Sequence, residues 1–421
     1  MAIGVVLAIG QVGYATIRAL GTDSDLIGFH ETAVHLGQTG EITSATGWKY
    51  YLPASAILLW PLLVWPMWVT APLWALINVG ALWWTLRECG RLAGGTATAR
   101  GEAPRTGSDF HLRWTLPLAA VFAYAVDAIS LGQLNVVVLA LCVAGYSRCA
   151  RRGCDLAAGA MVGLAATIKL FPLILAVFWL VGGRWKASLA TLFWFALLVG
   201  GPSLAVLGMS GSVEAHRAWL ARARGEPYAA QAGAGDSSGE LDHLMFRRKP
   251  HQWMRHNNQG LAAVVRRLTT NVGRGGGHEE PPVNIVDFPL AAAYGLYLAV
   301  GVIVFALLVK GTWQSRHLPD APGAFAAWLA AVVALLPVFW THYFILALPA
   351  LALLCRAASR DGKRSLPGLL LLAWVAGELL LASRPARLVG VQCWLTLALA
   401  LWAVHHPRPV ALPGAATDPE G

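Results

Sequence analysis

Asp25 lies in "GTDSDLIGFH" (residues 21–30), directly after an almost wholly apolar run from Met1 to Leu20. A carboxylate at a membrane interface can accept a proton from an attacking hydroxyl. The same acid also fits the start of a helix running on from Leu26, and spacing alone does not choose between the two; Asp23 reads as a solvated or capping neighbour. His342, in "WTHYF" (340–344), stands between two apolar runs. An imidazole there can hold or polarise a carboxylate and exchange protons near neutral pH, or simply sit at the interface. Lys169, in "IKLFP" (168–172), is a charge inside an apolar stretch. Such charges are costly and by default functional; this one suits a phosphate as a point charge, with snorkelling as the alternative. Gln133 and Asn135 of "GQLN" and Asn258 and Gln259 of "NNQG" add amides beside apolar runs. Arg247 and Arg248, with Lys249, form a basic cluster that suits an anionic substrate or a lipid headgroup, or a solvated face.

Other chemistries lack their residues. The chain has no P-loop, no GxGxxG after a strand, no HExxH and no GxSxG, so soluble nucleotide chemistry is not indicated. Its six cysteines form no CxxC pair, and Cys149 and Cys154 have no histidine at metal spacing; they read as reduced packing residues, and no metal or cofactor is expected.

The elements that must carry these residues are membrane helices. Hydrophobic residues make up 57% of 421 positions, charged ones 13%, and mean hydropathy is +0.56. A soluble domain carries about 25% charged residues. Long runs rich in Leu and Ala mean helices rather than barrel strands, so the fold class is an all-α polytopic bundle. The net charge of +10 sits largely in short loops, where it orients helices; it does not point to nucleic acid. The first run lacks a basic segment before it and a small-residue cleavage site after it, and reads as a retained helix.

Loop arginines place 87–113, 148–152 and 356–364 in the cytoplasm. The acidic loop 21–51 then belongs outside. Arg184 and Lys186 hold 182–186 inside, although only the apolar run 156–181 separates it from another cytoplasmic loop. That conflict is resolved if the run dips in and returns, broken at Pro172. Residues 52–86 cross once, with an interfacial piece before Pro66. The result is one membrane domain over 1–407, a long outer loop at 208–287 with a more structured stretch at 241–268, and a disordered tail at 408–421. The acidic loop, GQLN, NNQG and WTHYF all fall at outer helix ends.

These motifs, in this order, resemble glycosyltransferase family 87, within the GT-C superfamily of membrane glycosyltransferases. The similarity runs from "DSDLIGFHETAVHLGQTGEITSATGWKYYLP" through GQLN, "AGAMVGLAATIKLFPLIL" and NNQGL to "PVFWTHYFILALPAL", about residues 20–355. The resemblance implies a bundle of about 10–12 membrane helices. It also implies transfer of a hexose, with mannose the expected sugar, from a polyprenyl-phosphate donor to a lipid or glycan acceptor, with inversion. Asp25 matches the general base and His342 the family histidine that orients it. Lys169, Asn258 and Gln259 match elements of the family's motifs and, with Gln133, Asn135, Tyr51 and the basic Arg247 and Arg248, are expected to bind donor or substrate. Relatives often have "WDHH" where this chain has "WTHY". The expected setting is a bacterial cytoplasmic membrane with the site on its outer side and membrane lipids as neighbours. A transporter or lipid flippase would also explain the spans and Lys169, but not the long outer loop or the lack of internal repeats.

Overall fold

The computed structural model describes residues 2–20, 24–42, 51–94, 114–224, 258–270, 285–318, 321–336, 340–362 and 364–406. Among them no strand occurs beyond one antiparallel bridge between Asn258 and Trp340. The helices are α1 (Ala2–Ala19), α2 (Asp25–Thr39), α3 (Pro53–Leu63), α4 (Met67–Gly94), α5 (Leu116–Ala119), α6 (Phe122–Ser130), α7 (Asn135–Arg152), α8 (Asp155–Ile168), α9 (Ile174–Val181) and α10 (Trp185–Arg224). They continue with α11 (Leu261–Thr269), α12 (Leu290–Gln314), α13 (Pro322–Leu335), α14 (Leu348–Asp361), α15 (Leu366–Leu380), α16 (Arg384–Val389) and α17 (Val391–His405). Two 3₁₀ turns, Phe171–Leu173 and Thr341–Ala347, lead into α9 and α14.

Among the described residues four helical segments are long and apolar enough to cross a bilayer: Met67–Gly94, Trp185–Ala221, Leu290–Gln314 and Thr341–Asp361. The pair α6 and α7, bent by 117° at 131–134, makes a fifth if counted together, and six further apolar helices are shorter. The expected count of about 10–12 membrane helices is therefore reached only with short helices standing at membrane depth. Burial separates lipid-facing from central helices. Only 6% of the apolar window of α10 and 17% of that of α12 is buried inside the protein, against 83% for Thr341–Asp361. Apolar residues that face outward need an apolar solvent, while a helix apolar all round belongs in the core; α13, almost wholly buried, is the second central element.

Small residues set the helix directions. A Cβ on Gly159 would lie 2.4 Å from Ala190, and one on Gly163 2.8 Å from Trp194. Both contacts advance along the chain together, so α8 and α10 run parallel, packed through a small-xxx-small stripe. The chain between them must reverse, and it does so after Lys169: α8 rises, the 3₁₀ turn at Pro172 breaks it, and α9 returns. The reversal of the chain that Arg184 and Lys186 call for is present between α8 and α10. Arg184 lines one small cavity with Cys149, Ala150 and Arg316, so the loops after α7, α9 and α12 meet at a single end.

Two expectations are corrected. Residue 208 does not start a loop: α10 kinks there, Gly208 taking φ 66° and ψ −177°, and helix continues to Arg224. A glycine adopts that backbone without a Cβ penalty, which lets the helix resume in a new direction with Ser212, Ala215 and Ala218 buried. Cys154 is exposed rather than packed, while Cys89, Cys142, Cys149, Cys355 and Cys393 are buried and free. Asp23, Arg247, Arg248 and the tail at 408–421 lie outside the described residues.

Candidate active site

Three breaks in the helical chain converge with the start of α2. They are the bend at 131–134, the reversal at Lys169 and the 3₁₀ turn beginning at Thr341. Non-helical backbone at membrane depth is tolerated where it lines a cavity or is buried in protein, and these breaks carry the polar residues singled out in the sequence.

Asp25 opens α2. Ser24 is its N-cap, its hydroxyl accepting from the Leu26 amide at 3.2 Å. The capping role weighed for Asp25 thus belongs to Ser24, and the Asp25 carboxylate is left exposed at the edge of the site. The main chain of Asp25 is fixed to the 131–134 bend: its N–H donates to the Leu131 carbonyl at 3.0 Å, and the Ser24 hydroxyl donates to the same oxygen at 3.2 Å. Gly132 makes this approach possible. Its φ is +71°, and a Cβ there would lie 2.5 Å from Leu26 Cβ. Its carbonyl accepts from Trp74 Nε1 at 2.9 Å, which ties the bend to α4.

Gln133 links Asp25 to the interior. Its Nε2 donates to Asp25 Oδ2. Its Oε1 accepts from Lys169 Nζ at 2.9 Å and from the Tyr51 hydroxyl at 3.4 Å. Lys169 is 7% exposed, and its ammonium also donates to Asn135 Oδ1 at 2.6 Å and Tyr343 OH at 3.1 Å. It lies 4.4 Å from the Tyr343 ring centroid and 5.4 Å from that of Tyr51. Three neutral oxygens and two ring faces thus hold the charge, which is not snorkelling to an interface.

The histidine has a different partner from the one expected. His342 Nδ1 lies 3.6 Å from Asp127 Oδ2, and the Thr341 hydroxyl donates to the same oxygen at 3.3 Å. Its ring stacks on Tyr343, centroids 4.9 Å apart. The imidazole is therefore paired with Asp127 on α6, and Asp25 with Gln133. Asp127 was missed in the sequence, although an acid inside the apolar run 114–130 is the signal that marks intramembrane function. Tyr343 was missed as well.

Asn258 and Gln259 are fully buried. Asn258 Oδ1 accepts from the Gly260 amide at 3.1 Å, and Gln259 Nε2 donates to the Arg387 carbonyl at 2.8 Å. Arg267 donates to the Asn258 carbonyl at 2.8 Å. With the Asn258–Trp340 bridge, these contacts lock residues 258–260 beside the turn that bears His342. The structure thus brings together the four features expected at one end of the bundle. Among the described residues no group of three or more His, Cys, Asp or Glu side chains is placed to hold a metal.

A sequence profile of glycosyltransferase family 87 matches residues 50–269. That span contains Tyr51, Asp127, Gln133, Asn135, Lys169, Asn258 and Gln259, while Asp25 and His342 fall on either side of it. The polyprenol-phosphate-mannose-dependent alpha-(1-2)-phosphatidylinositol pentamannoside mannosyltransferase of Mycolicibacterium smegmatis is 25% identical over 366 residues, covering 85% of this chain and 68% of its own. The protein of the same name from Mycobacterium tuberculosis is 26% identical over 366 residues, covering 86% and 69%. The crystal structure of ArnT from Cupriavidus metallidurans bound to undecaprenyl phosphate aligns with a TM-score of 0.37 at 14% identity, over 96% of this chain and 77% of that one.

Proposed function

The chain belongs to glycosyltransferase family 87, and from that premise we propose that it moves a hexose, mannose in the first instance, from a polyprenyl-phosphate donor to a lipid or glycan acceptor at the extracytoplasmic face of a bacterial cytoplasmic membrane. The acceptor hydroxyl oxygen attacks the anomeric carbon as the bond from that carbon to the phosphate oxygen breaks. The bonding pair leaves with the polyprenyl phosphate, the hydroxyl proton passes to Asp25, and in-line attack inverts the anomeric centre. Polyprenyl phosphate is already a good leaving group, so the enzyme's task is to align the reactants, remove one proton and stabilise the departing charge. Lys169 serves the last need as a fixed positive charge: its hydrogen bonds go to protein oxygens, so it acts on the phosphate through its field. Arg247 and Arg248 are proposed to contact the donor from the outer loop.

The observation that carries this reading is the joining of an exposed carboxylate to a buried ammonium through one amide, Asp25 to Gln133 to Lys169. Asp25→Asn keeps the shape and removes the proton acceptor. Loss of a general base costs about 10²–10⁴ in rate. The expected result is intact protein, near-normal donor affinity and transfer of labelled mannose from polyprenyl-phosphate mannose reduced by that factor, with Asp23→Asn mild. Full transfer by Asp25→Asn would place the base elsewhere. Movement of labelled donor between leaflets without transfer in the wild type would replace the enzyme reading with that of a flippase.

A further inference from the structure

Gln133 has two chemically different ends, and its surroundings decide which way they point. An amide oxygen accepts and an amide nitrogen donates. Lys169 is a donor only, so the end of Gln133 that meets Lys169 Nζ at 2.9 Å must be the oxygen. The Tyr51 hydroxyl donates to the same oxygen at 3.4 Å. The –NH₂ end is thereby turned to Asp25, and the reversed amide would set two donors face to face. Gln133 itself is 4% exposed. The residues flanking it hold Asp25 by a separate route, because the Leu131 carbonyl accepts from the Asp25 amide and Gly132 abuts Leu26.

We propose that Gln133 is a positioning residue for the Asp25 carboxylate, with the buried Lys169 ammonium acting as the lock that fixes its amide orientation. This rests on the reading of Asp25 as the base. It assigns Gln133 and Asn135 to the support of the carboxylate rather than to direct contact with the donor. The bend at 131–135 thus becomes a cradle that holds Asp25 by main chain and side chain together. A donated N–H steadies the ionised carboxylate and orients the lone pair that faces the acceptor. The titratable groups facing Asp25 are Lys169 from the α8–α9 break, Tyr51 from the start of α3, and His342 and Tyr343 from the 3₁₀ turn. A Gln133 variant leaves all four of these residues in the sequence, while Lys169 and Tyr51 lose Oε1 as an acceptor.

The test is steady-state transfer by the full chain in detergent, with polyprenyl-phosphate mannose varied. A hydrogen bond to a charged group is worth about 10–100-fold in rate when it acts only in the transition state. Gln133→Met should lower kcat by about that factor with the donor KM within about twofold of wild type, the pattern of a group that acts on the transition state only. Gln133→Asn, which keeps an amide for Lys169 but withdraws it by one methylene, should do the same and covers the case of a Met variant that does not fold. In an Asp25→Asn background the Gln133 substitution should cost little more, because its effect runs through the carboxylate. A raised donor KM with kcat unchanged overturns the proposal and would make Gln133 a donor ligand, as does a full additional loss in the Asp25→Asn background. If Asp25→Asn transfers sugar at the wild-type rate, the base assignment falls and the proposal with it. If Asp25→Asn is inactive and the Gln133 variants keep wild-type kcat, the lock alone falls.

Discussion

Lys169→Met separates the structural from the catalytic use of the buried charge. The substitution removes three donated hydrogen bonds, to Gln133, Asn135 and Tyr343. Gln133 Oε1 keeps the Tyr51 hydroxyl, whereas Asn135 Oδ1 is fully buried and loses the ammonium. An acceptor left bare in that way costs about 1–3 kcal/mol. Against this, taking a charge out of the interior recovers a desolvation penalty of several kcal/mol, and apolar replacements of buried charges are often neutral for stability. The two effects oppose each other, so the fold should survive with little change in its thermal transition. Catalysis has no such offset. If the departing phosphate sits at an assumed separation of about 5 Å from the ammonium, an effective dielectric of about 20 makes the lost attraction about 3 kcal/mol. That is about a hundredfold in rate. Steady-state transfer of labelled mannose, with donor and acceptor varied in turn, should show the loss in kcat and donor KM, with acceptor KM nearly unchanged. A folded Lys169→Met enzyme with wild-type donor kcat and KM would refute the argument and leave the lysine a packing residue.

Two further outcomes follow from the same geometry, and a third from the distribution of loop arginines. Asp127→Asn keeps the acceptor for Thr341 but removes the charge beside His342; at 3.6 Å, with the Asp127 side chain 34% exposed, the pair is worth about 1 kcal/mol at most, so transfer should fall by no more than about fivefold, and a loss of a hundredfold or more would move the base from Asp25 to the His342–Asp127 pair. Gly132→Ala introduces a Cβ 2.5 Å from Leu26 Cβ at φ +71°; the backbone conformation alone costs about 1–2 kcal/mol, and the overlap adds to it, so a lowered thermal transition with weakened activity is expected, whereas an unshifted transition would deny the bend its role in seating Asp25. Single cysteines at residues 100 and 240 in a background free of other thiols should label from opposite sides of sealed vesicles; labelling from one side would overturn the proposed placement of the site outside.

Much of this arrangement could be read along the chain because a charge or a proline inside an apolar run is a local signal. Lys169 and Pro172 mark the reversal, and the basic residues Arg184 and Lys186 call for it if their loop is to share a side with 148–152. The helical class was equally legible, because composition alone selects the solvent. Pairings were not legible. Asp25 and Gln133 lie 108 positions apart, and Lys169 and Tyr343 174. The 117° bend and the left-handed Gly132 decide which side chains those breaks present to one another, and neither angle has a periodicity to betray it. The case of His342 shows the consequence. An acid and a histidine at the same end of a bundle are expected to pair, but the carboxylate beside His342 comes from Asp127 on α6. The helix past Gly208 was lost for the opposite reason: a glycine among serines reads as a loop, and only tertiary packing of Ser212, Ala215 and Ala218 makes it the hinge between two helical segments. An isolated acid within an apolar helix is therefore as strong a sign of function as Lys169, because the membrane penalises both unless something in the fold uses them.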